Sequence, residues 1–248
     1  MRKKRFVNSG GPADQTTALL LALSDDLALP FMQIKSTSEL LKQVKFSEKK
    51  TALAAEQMLL SADNGLQLVE AYRLVLLSNE LNQQQLEPVA IGAILQDVAH
   101  QLTPYAKLYA TDLEVDIQGR PGPVLAHQPS LSAALQVIST SLIRAQSAQR
   151  RQPKYRLLLG AHRTPQNLIS AGVFSNVQGL SDRALRTARS LVGRARQPLP
   201  AIPPGTASGI LIADMLCSAM WQPLRAAAHK NMTGLATTIP LSNQLQFV

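Results

Sequence analysis

The chain has few of the residues that build disulfide frameworks, zinc sites or aromatic-rich surfaces. Cys217 is the only cysteine among 248 residues, which excludes a disulfide framework and a cysteine-based zinc site and is typical of a reducing cytoplasm. Aromatic residues make up only 4% of the chain, so its cores must be filled by Leu, Ala, Ile and Val, a composition that favours helices. Apolar residues still make up 46%, which is enough for a sizeable core.

Long hydrophobic runs are also missing. The longest apolar stretch, Ile210 to Trp221, has 12 residues and contains Asp214, whereas a membrane-spanning helix needs about 20. The first residues, MRKKRF, are basic, but no apolar segment typical of a signal peptide follows them closely. We therefore predict a cytoplasmic protein without a transmembrane segment.

Acidic residues are scarce in the second half of the chain. Residues 145–248 carry 12 Lys and Arg against only Asp182 and Asp214. Arginines recur from Arg183 to Arg196, and such a basic field attracts phosphates, acidic proteins or anionic lipid headgroups. No aromatic residues are interleaved with these arginines and no DNA-recognition motif is evident, so base stacking and base-specific reading are not predicted. A solvated basic surface is the other interpretation.

Two long helical patterns open the chain. Apolar residues recur at intervals of three and four in two segments joined by a polar connection at 46–50, which predicts an antiparallel helical hairpin over residues 15–80. Pro30 lies inside the first helix and is expected to kink it. Because two helices bury too little surface alone, the hairpin is expected to form a homodimeric four-helix bundle. The two stripes are Leu20, Leu23, Leu27, Pro30, Ile34, Thr37, Leu41 and Val44, then Ala52, Ala55, Leu59, Ala62, Leu66, Val69, Arg73 and Leu76.

The remaining residues alternate between helical and strand periodicity. Residues 1–14 are interpreted as a basic, flexible N-terminus, and residues 88–248 as an α/β sandwich, which makes the whole chain an α+β protein. Leu113–Ile117 alternates in period two, as a half-buried strand does. The sandwich is predicted to contain helices near 89–109, 129–149, 181–192 and 208–221, and strands near 113–117, 155–159, 168–174, 224–228 and 235–241.

Six segments in this order resemble the conserved boxes of bacterial sensor histidine kinases. Ser24–Phe31 is similar to the phosphoacceptor box Ser-His-Glu-Leu-Arg-Thr-Pro-Leu, and Leu131–Arg144 is similar to the asparagine box. The resemblance implies a phosphoacceptor hairpin followed by an ATP-binding domain of the GHKL type. The other four segments are the linker Leu86–Val89, the adenine-reading segment Val173–Ser181, the glycine-rich loop Gly205–Ile210 and the closing strand Thr233–Leu241.

The chain departs from this family where the family performs its chemistry. Asp25, followed by Asp26, stands at the phosphoacceptor histidine, and a carboxylate is a poorer nucleophile for that role. Ser141 stands where an asparagine helps to hold Mg²⁺; shifting the alignment by three residues puts Arg144 there, which is a worse ligand. Ser175 replaces the aspartate that reads adenine. The nucleophile, the metal ligand and the base reader are therefore all missing.

The resemblance still implies a degenerate nucleotide pocket. Its members would be Ser141, Ser175, Gly179, Gly205 and Gly209, although Ala207 replaces a glycine in the phosphate-side loop. The two retained loop glycines either cradle an anion or serve the turn alone. No catalytic residue, metal or cofactor is predicted.

These observations favour a catalytically inactive, histidine-kinase-like signalling protein. It is expected to act as a homodimeric scaffold or regulator that binds a response-regulator-like partner in a two-component or related pathway. Asp25 and Asp26 lie off the apolar stripe, so this face is expected to meet solvent and either docks that partner or is an ordinary acidic patch. One alternative is a divergent kinase or phosphotransfer protein that still binds Mg·ATP. Another is a binder of nucleic acid or membrane surfaces that uses the basic half.

Overall fold

The computed structural model describes residues 12–43, 47–81, 85–148, 155–176, 185–186, 189 and 207–242. Two long helices, α1 (Pro12–Gln43) and α2 (Glu48–Leu81), pack along each other as a hairpin. Helix α1 is continuous through Pro30, which is buried. Residues 1–11 of the predicted basic N-terminus lie outside the described residues.

The buried side of α2 differs from the predicted stripe. Leu59 and Leu66, which the periodicity placed on the seam, are 62% and 68% exposed, and Leu20 of α1 is 49% exposed. The reason is that α2 packs against α1 on one side and against helices of the sandwich on another, so a three-four periodicity fits more than one of its faces. The residues of α2 that are buried are Ser61, Asn64, Gly65, Leu68, Ala71, Tyr72, Leu74 and Val75.

The second module combines helices and strands. Its helices are α3 (Ile91–Leu108), α4 (Gln128–Ala148) and α5 (Ala207–Ala219). Its strands are β1 (Glu87–Val89), β2 (Thr111–Ile117), β3 (Val124–Ala126), β4 (Tyr155–Arg163), β5 (Leu168–Ser175), β6 (Arg225–His229) and β7 (Met232–Pro240). The predicted sandwich elements recur within a few residues of these bounds, except that the predicted helix at 181–192 lies mostly outside the described residues.

Five strands form one mixed sheet in the order β2-β4-β5-β7-β6. The β2–β4 pair is parallel and the other pairs are antiparallel. A separate antiparallel pair, β1 with β3, was not predicted, because three-residue strands are too short to show alternation. The fold is therefore α+β, with a helical hairpin followed by an α/β sandwich, as predicted.

The sheet has two different faces. Leu157, Leu159 and Val173 point into the main core beneath α3, α4 and α5. Leu158 and Phe174, which alternate with them, belong to a small second cluster on the opposite face, which we call the outer face. The hairpin shares the main core, which contains Leu68, Tyr72 and Val75 of α2 together with residues of α4 and α5.

Candidate functional site

The segment that resembles the phosphoacceptor box lies in the middle of α1. Asp25 is exposed, as the sequence predicted, but Asp26 is half-buried and accepts a 2.7 Å hydrogen bond from the hydroxyl of Tyr72 in α2. Burial, together with the negative charge of Asp26, raises the pKa of Tyr72. Asp26 is therefore part of the contact between the two helices rather than of an open acidic surface.

Pro30 belongs to the same helix contact. A Cβ placed on Gly65 would lie 3.7 Å from Leu27 and 3.8 Å from Pro30, so the two helices are in close contact at this level. One turn further along α1, Gln33 donates a hydrogen bond to the hydroxyl of Tyr109, which follows α3, and accepts one from Ser61. The hairpin is thus joined to the sandwich by side-chain hydrogen bonds as well as by the shared core.

Ser141 and Gly209, two members of the predicted nucleotide pocket, are in direct contact. Ser141 is buried in α4, and Gly209 lies in the first turn of α5. A Cβ placed on Gly209 would lie 2.0 Å from Ser141 Oγ and 3.1 Å from the carbonyl oxygen of Val137. The two helices therefore leave no space for a phosphate or a metal ion between these positions.

Ser175 is the last residue of β5 and is buried in the sheet. It is in register with Leu157 of β4 and with Thr233 of β7, so its backbone is held on both sides. The structure therefore places Ser141 and Gly209 together, and Ser175 at a strand end. Gly179 and Gly205 lie outside the described residues.

One arginine of the basic segment forms an internal ion pair. Arg189 donates two 2.7 Å hydrogen bonds to the carboxylate of Asp214 in α5 and one to the carbonyl of Leu224. The Asp214 side chain is 7% exposed, and its carboxylate also accepts a hydrogen bond from the Leu224 backbone. Part of the positive charge of this segment is thus neutralised by an ion pair within the protein.

Two clefts flank the junction between the hairpin and the sandwich. One, of about 520 Å³, lies between α2 and α3 and is lined by Asn64, Tyr105 and Thr140 among others. The other, of about 480 Å³, is lined by Gln33, Ser61 and Tyr109 among others. Neither contains Ser141, Ser175 or Gly209. Within the described part of the chain, no helix has the length and apolar character that a bilayer span requires.

Sequence reasoning missed Tyr72 and Asp214 as site residues. Tyr72 lay in the helix that the pattern identified, but a hydroxyl that binds a residue 46 positions away leaves no local signal. Asp214 was visible only as a charge inside the longest apolar stretch. That position is itself a signal, because a charge in a buried helix requires a partner.

Comparison with solved structures places these features in a known architecture. The histidine kinase AdeS of Acinetobacter baumannii matches 88% of this chain over 98% of its own length, with a TM-score of 0.51 and 13% identity. A bacterial phosphotransferase matches 92% of this chain over 98% of its own, with a TM-score of 0.51 and 12% identity. Full-length ShkA, solved in complex with AMPPNP, matches 94% of this chain with a TM-score of 0.50 and 16% identity, and the chain spans 47% of ShkA.

At these identities the likeness is one of fold. No family model and no curated protein matches the sequence. The order of elements agrees with the resemblance seen in the six sequence segments. The chain has the fold of a histidine kinase core, a helical hairpin followed by a GHKL-type, ATPase-like α/β sandwich.

Proposed function

We propose that this chain is a catalytically inactive, histidine-kinase-like protein that acts by binding. In this proposal it forms a homodimer through its helical hairpin and serves as a scaffold or regulator for a response-regulator-like partner in a two-component or related pathway. The ATPase-like sandwich then supports the hairpin instead of supplying a phosphoryl group.

The contact between Ser141 and Gly209 carries the proposal. Phosphoryl transfer depends on positioning Mg²⁺ and the phosphates against preorganised groups. Ser141 has no side-chain amide with which to help hold Mg²⁺, and its hydroxyl is packed against the α5 backbone. Ser175 has no carboxylate to accept a hydrogen bond from an adenine amino group. The described residues at these positions do not fit Mg·ATP.

The hairpin supports the same interpretation from the acceptor side. Asp25 has no imidazole nitrogen to accept a phosphoryl group, and Asp26 is held by Tyr72. Because α2 packs directly on α4 and α5 within one core, moving the sandwich toward a phosphoacceptor would expose buried apolar surface. A fixed arrangement of the two modules suits a scaffold.

Exposed apolar side chains on the hairpin support dimerisation. Monomeric proteins rarely leave a large contiguous apolar patch in water, and covering such a patch stabilises the assembly. Within the described part of the hairpin, the large apolar side chains that are at least one-third exposed are Leu20, Leu21, Leu29, Phe31, Met32, Leu40, Leu53, Leu59, Leu66, Val69 and Leu77. Not all of them lie on one face, so a second copy and a partner protein each have apolar surface to cover.

The surface around Asp25 suits the partner. Asp25 is exposed, and Leu29 and Met32, which lie one and two turns further along the same side of α1, are 43% and 67% exposed. A patch that combines an acidic residue with large apolar side chains can bury the latter at the centre of an interface and steer the encounter with the former. This surface is the proposed docking site.

Calorimetric titration of the purified full chain with Mg·ATP tests the proposal. A parallel titration with Mg·pyrophosphate, at the same ionic strength, controls for the basic surface, which attracts any polyphosphate. We expect no binding, or equally weak binding of both ligands that falls steeply with salt. Tight binding of ATP without comparable binding of pyrophosphate contradicts the proposal and supports the divergent kinase.

The Asp25→His variant extends the same experiment to the acceptor position. Incubated with γ-labelled ATP and Mg²⁺, this variant is expected to remain unlabelled, because it restores the nucleophile without restoring the nucleotide site. Labelling of Asp25→His but not of the wild type would show that only the acceptor has been lost.

A further inference from the structure

The outer face of the sheet carries a line of hydrogen-bonded titratable side chains that the proposed function does not use. Asp116 lies on β2, His162 on β4, and His229 and Lys230 lie where β6 turns into β7. His229 Nε2 is 2.6 Å from Asp116 Oδ2, and His229 Nδ1 is 3.0 Å from His162 Nδ1. The three groups form a continuous chain from a carboxylate to two imidazoles.

These hydrogen bonds between side chains are possible because the sheet curls. Strands β2 and β6 are its opposite edges, and in a flat sheet of this order they would be about 19 Å apart. The contact between His229 and Asp116 brings the β6–β7 turn over β4, where Gly160 makes room for it. A Cβ placed on Gly160 would lie 3.2 Å from the His229 ring, and one on Gly172 would lie 2.2 Å from a β7 carbonyl oxygen.

His229 is held in one orientation. Its side chain is 1% exposed, and its ring stacks on Phe174 with the centroids 5.1 Å apart. Lys230 and Asn231 have φ values of 45° and 62°, the left-handed backbone that a two-residue hairpin turn requires. Burial and stacking therefore fix the ring, and the hairpin turn sets the direction in which the backbone presents it.

Asp116 is held as a carboxylate. Lys230 Nζ lies 2.5 Å from Asp116 Oδ1, and this hydrogen bond, with that from His229, keeps the pKa of Asp116 below its usual range. Among the residues that the structure describes, the other charged side chains on the outer face are Asp112 and Glu114 of β2, Arg156 of β4 and Arg225 of β6. Glu114 and Arg156 bind each other at 2.7 Å.

The positions of the protons follow from these contacts. An ionised carboxylate only accepts hydrogen bonds, so His229 Nε2 must carry a proton. In neutral His229, Nδ1 is then bare and accepts a hydrogen bond from His162 Nδ1–H. Neutral His162 therefore has its lone pair on Nε2. This nitrogen has no partner among the described residues and is not a buried atom, so it reaches solvent.

We propose that Asp116, His229 and His162 form a proton relay that makes His162 Nε2 a nucleophile, a site of covalent modification by small activated acyl donors such as acyl phosphates or thioesters. The arrangement follows the general logic of an activated nucleophile, in which a base is oriented by a third group. It involves neither the hairpin nor the predicted nucleotide pocket, and it holds whether or not the chain binds ATP.

The step balances within these residues. His162 Nε2 forms a bond to the acyl carbon, and the bond from that carbon to its leaving group breaks, so the leaving group departs with the electron pair. The proton on His162 Nδ1 passes to His229 Nδ1. The product is a neutral N-acyl imidazole beside a His229 imidazolium that Asp116 stabilises. Because the His229 side chain is only 1% exposed, its extra proton leaves from Nε2 through the Asp116 carboxylate, which is 20% exposed and passes it to solvent.

Burial supports the reactivity at mildly acidic pH. Partial burial and the neighbouring His229 lower the pKa of His162, so a larger fraction of it than of an ordinary imidazole is neutral at mildly acidic pH. At pH 6 an ordinary imidazole, with a pKa of about 6.5, is only about one quarter neutral. The reactivity of His162 is therefore compared with that of an ordinary imidazole at pH 6, where their neutral fractions are expected to differ.

Carbethoxylation of the full chain by diethyl pyrocarbonate tests the proposal. The rate at each histidine is followed by peptide mass spectrometry, with N-acetylhistidine in the same tube as the ordinary imidazole and exposed His100 as the internal control. At pH 6 we expect His162 to react up to about fourfold faster than N-acetylhistidine, from its neutral fraction alone. A slower reaction at His162 than at N-acetylhistidine would overturn the proposal without the need for any variant.

Two matched variants test whether the reaction rate at His162 depends on the relay or only on the exposure of His162. Asp116→Asn removes the charge that stabilises the His229 imidazolium and is expected to slow His162 about threefold or more at pH 8. Glu114→Gln removes a carboxylate two residues away on the same strand and is expected to leave the rate unchanged. Equal rates at His162 in Asp116→Asn, Glu114→Gln and the wild type would also overturn the proposal.

Discussion

At the scale of single residues, two helical glycines differ in the space around them: Gly209 is crowded, whereas Gly65 has room for a Cβ. Gly209 is pressed against Ser141, so a Cβ there would lie 2.0 Å from Oγ and 2.8 Å from Cβ of that serine. Gly65 faces Leu27 and Pro30, and a Cβ there would make ordinary contacts at 3.7 and 3.8 Å. The two positions therefore respond to the same substitution with opposite signs.

We expect Gly209→Ala to lower the free energy of unfolding by about 1–3 kcal/mol, because α4 and α5 must move apart. Gly65→Ala should raise it by about 0.5–1 kcal/mol, because alanine restricts the unfolded chain and favours the helix. Urea unfolding followed by circular dichroism measures both. An unchanged midpoint in Gly209→Ala would mean that α4 and α5 are not in contact at this position.

The identity of the substituted residues could be predicted from the sequence, whereas their contacts could not. Asp25, Ser141 and Ser175 stand out as soon as the chain is aligned with the kinase boxes. That Ser141 touches Gly209 depends on how α4 and α5 pack, and these residues are 68 positions apart in the chain. Long-range packing of small residues leaves no periodic signal.

At the scale of elements, the hydrogen bond from Tyr72 to Asp26 fixes α1 against α2. The tyrosine side chain is buried, and its hydroxyl meets the carboxylate at 2.7 Å. Removing this hydroxyl leaves the half-buried carboxylate without one of its donors. We expect Tyr72→Phe to lower the free energy of unfolding by about 1.5 kcal/mol.

Tyr155→Phe is the matched control for this prediction. The hydroxyl of Tyr155 is buried in the sheet module and has no hydrogen-bond partner among the described residues. Its removal should therefore leave stability unchanged or slightly higher, since no bond is lost. Equal losses in the two variants, measured by the same urea unfolding, would argue against a Tyr72–Asp26 bond in solution.

The existence of the longer elements was predictable, whereas the three-residue strands β1 and β3 and the orientation of α2 were not. The sandwich elements follow from alternation and helical periodicity, and the structure places them within a few residues. In α2, however, apolar residues are distributed around the helix, so Leu59 and Leu66 fit a seam as well as Leu68 and Val75 do. The packing of α2 against α4 and α5 decides that Leu68 and Val75 are buried while Leu59 and Leu66 are exposed.

At the scale of the whole molecule, the hairpin has more apolar surface than one chain covers. Helix α2 uses one face for α1 and another for the sandwich, and Leu59 and Leu66 remain 62% and 68% exposed. Four-helix bundles bury such residues between two hairpins. Under the proposed function, we expect these leucines to lie in the central contact of the homodimer.

We expect the double variant Leu59→Asp, Leu66→Asp to convert a dimer into a folded monomer. Both side chains are exposed in the single chain, so the new carboxylates remain solvated there, whereas in a dimer they would be buried without partners. Light scattering coupled to size exclusion measures the mass, and circular dichroism confirms that the helices remain.

Trp221→Asp controls for the loss of any exposed apolar group. Trp221 is 86% exposed beyond the end of α5, far along the chain from the hairpin, and its φ of 63° is one that aspartate tolerates. This variant should keep the mass of the wild type. A wild-type chain that is monomeric at all accessible concentrations would exclude the homodimer, and a double variant that stays dimeric would place the interface elsewhere.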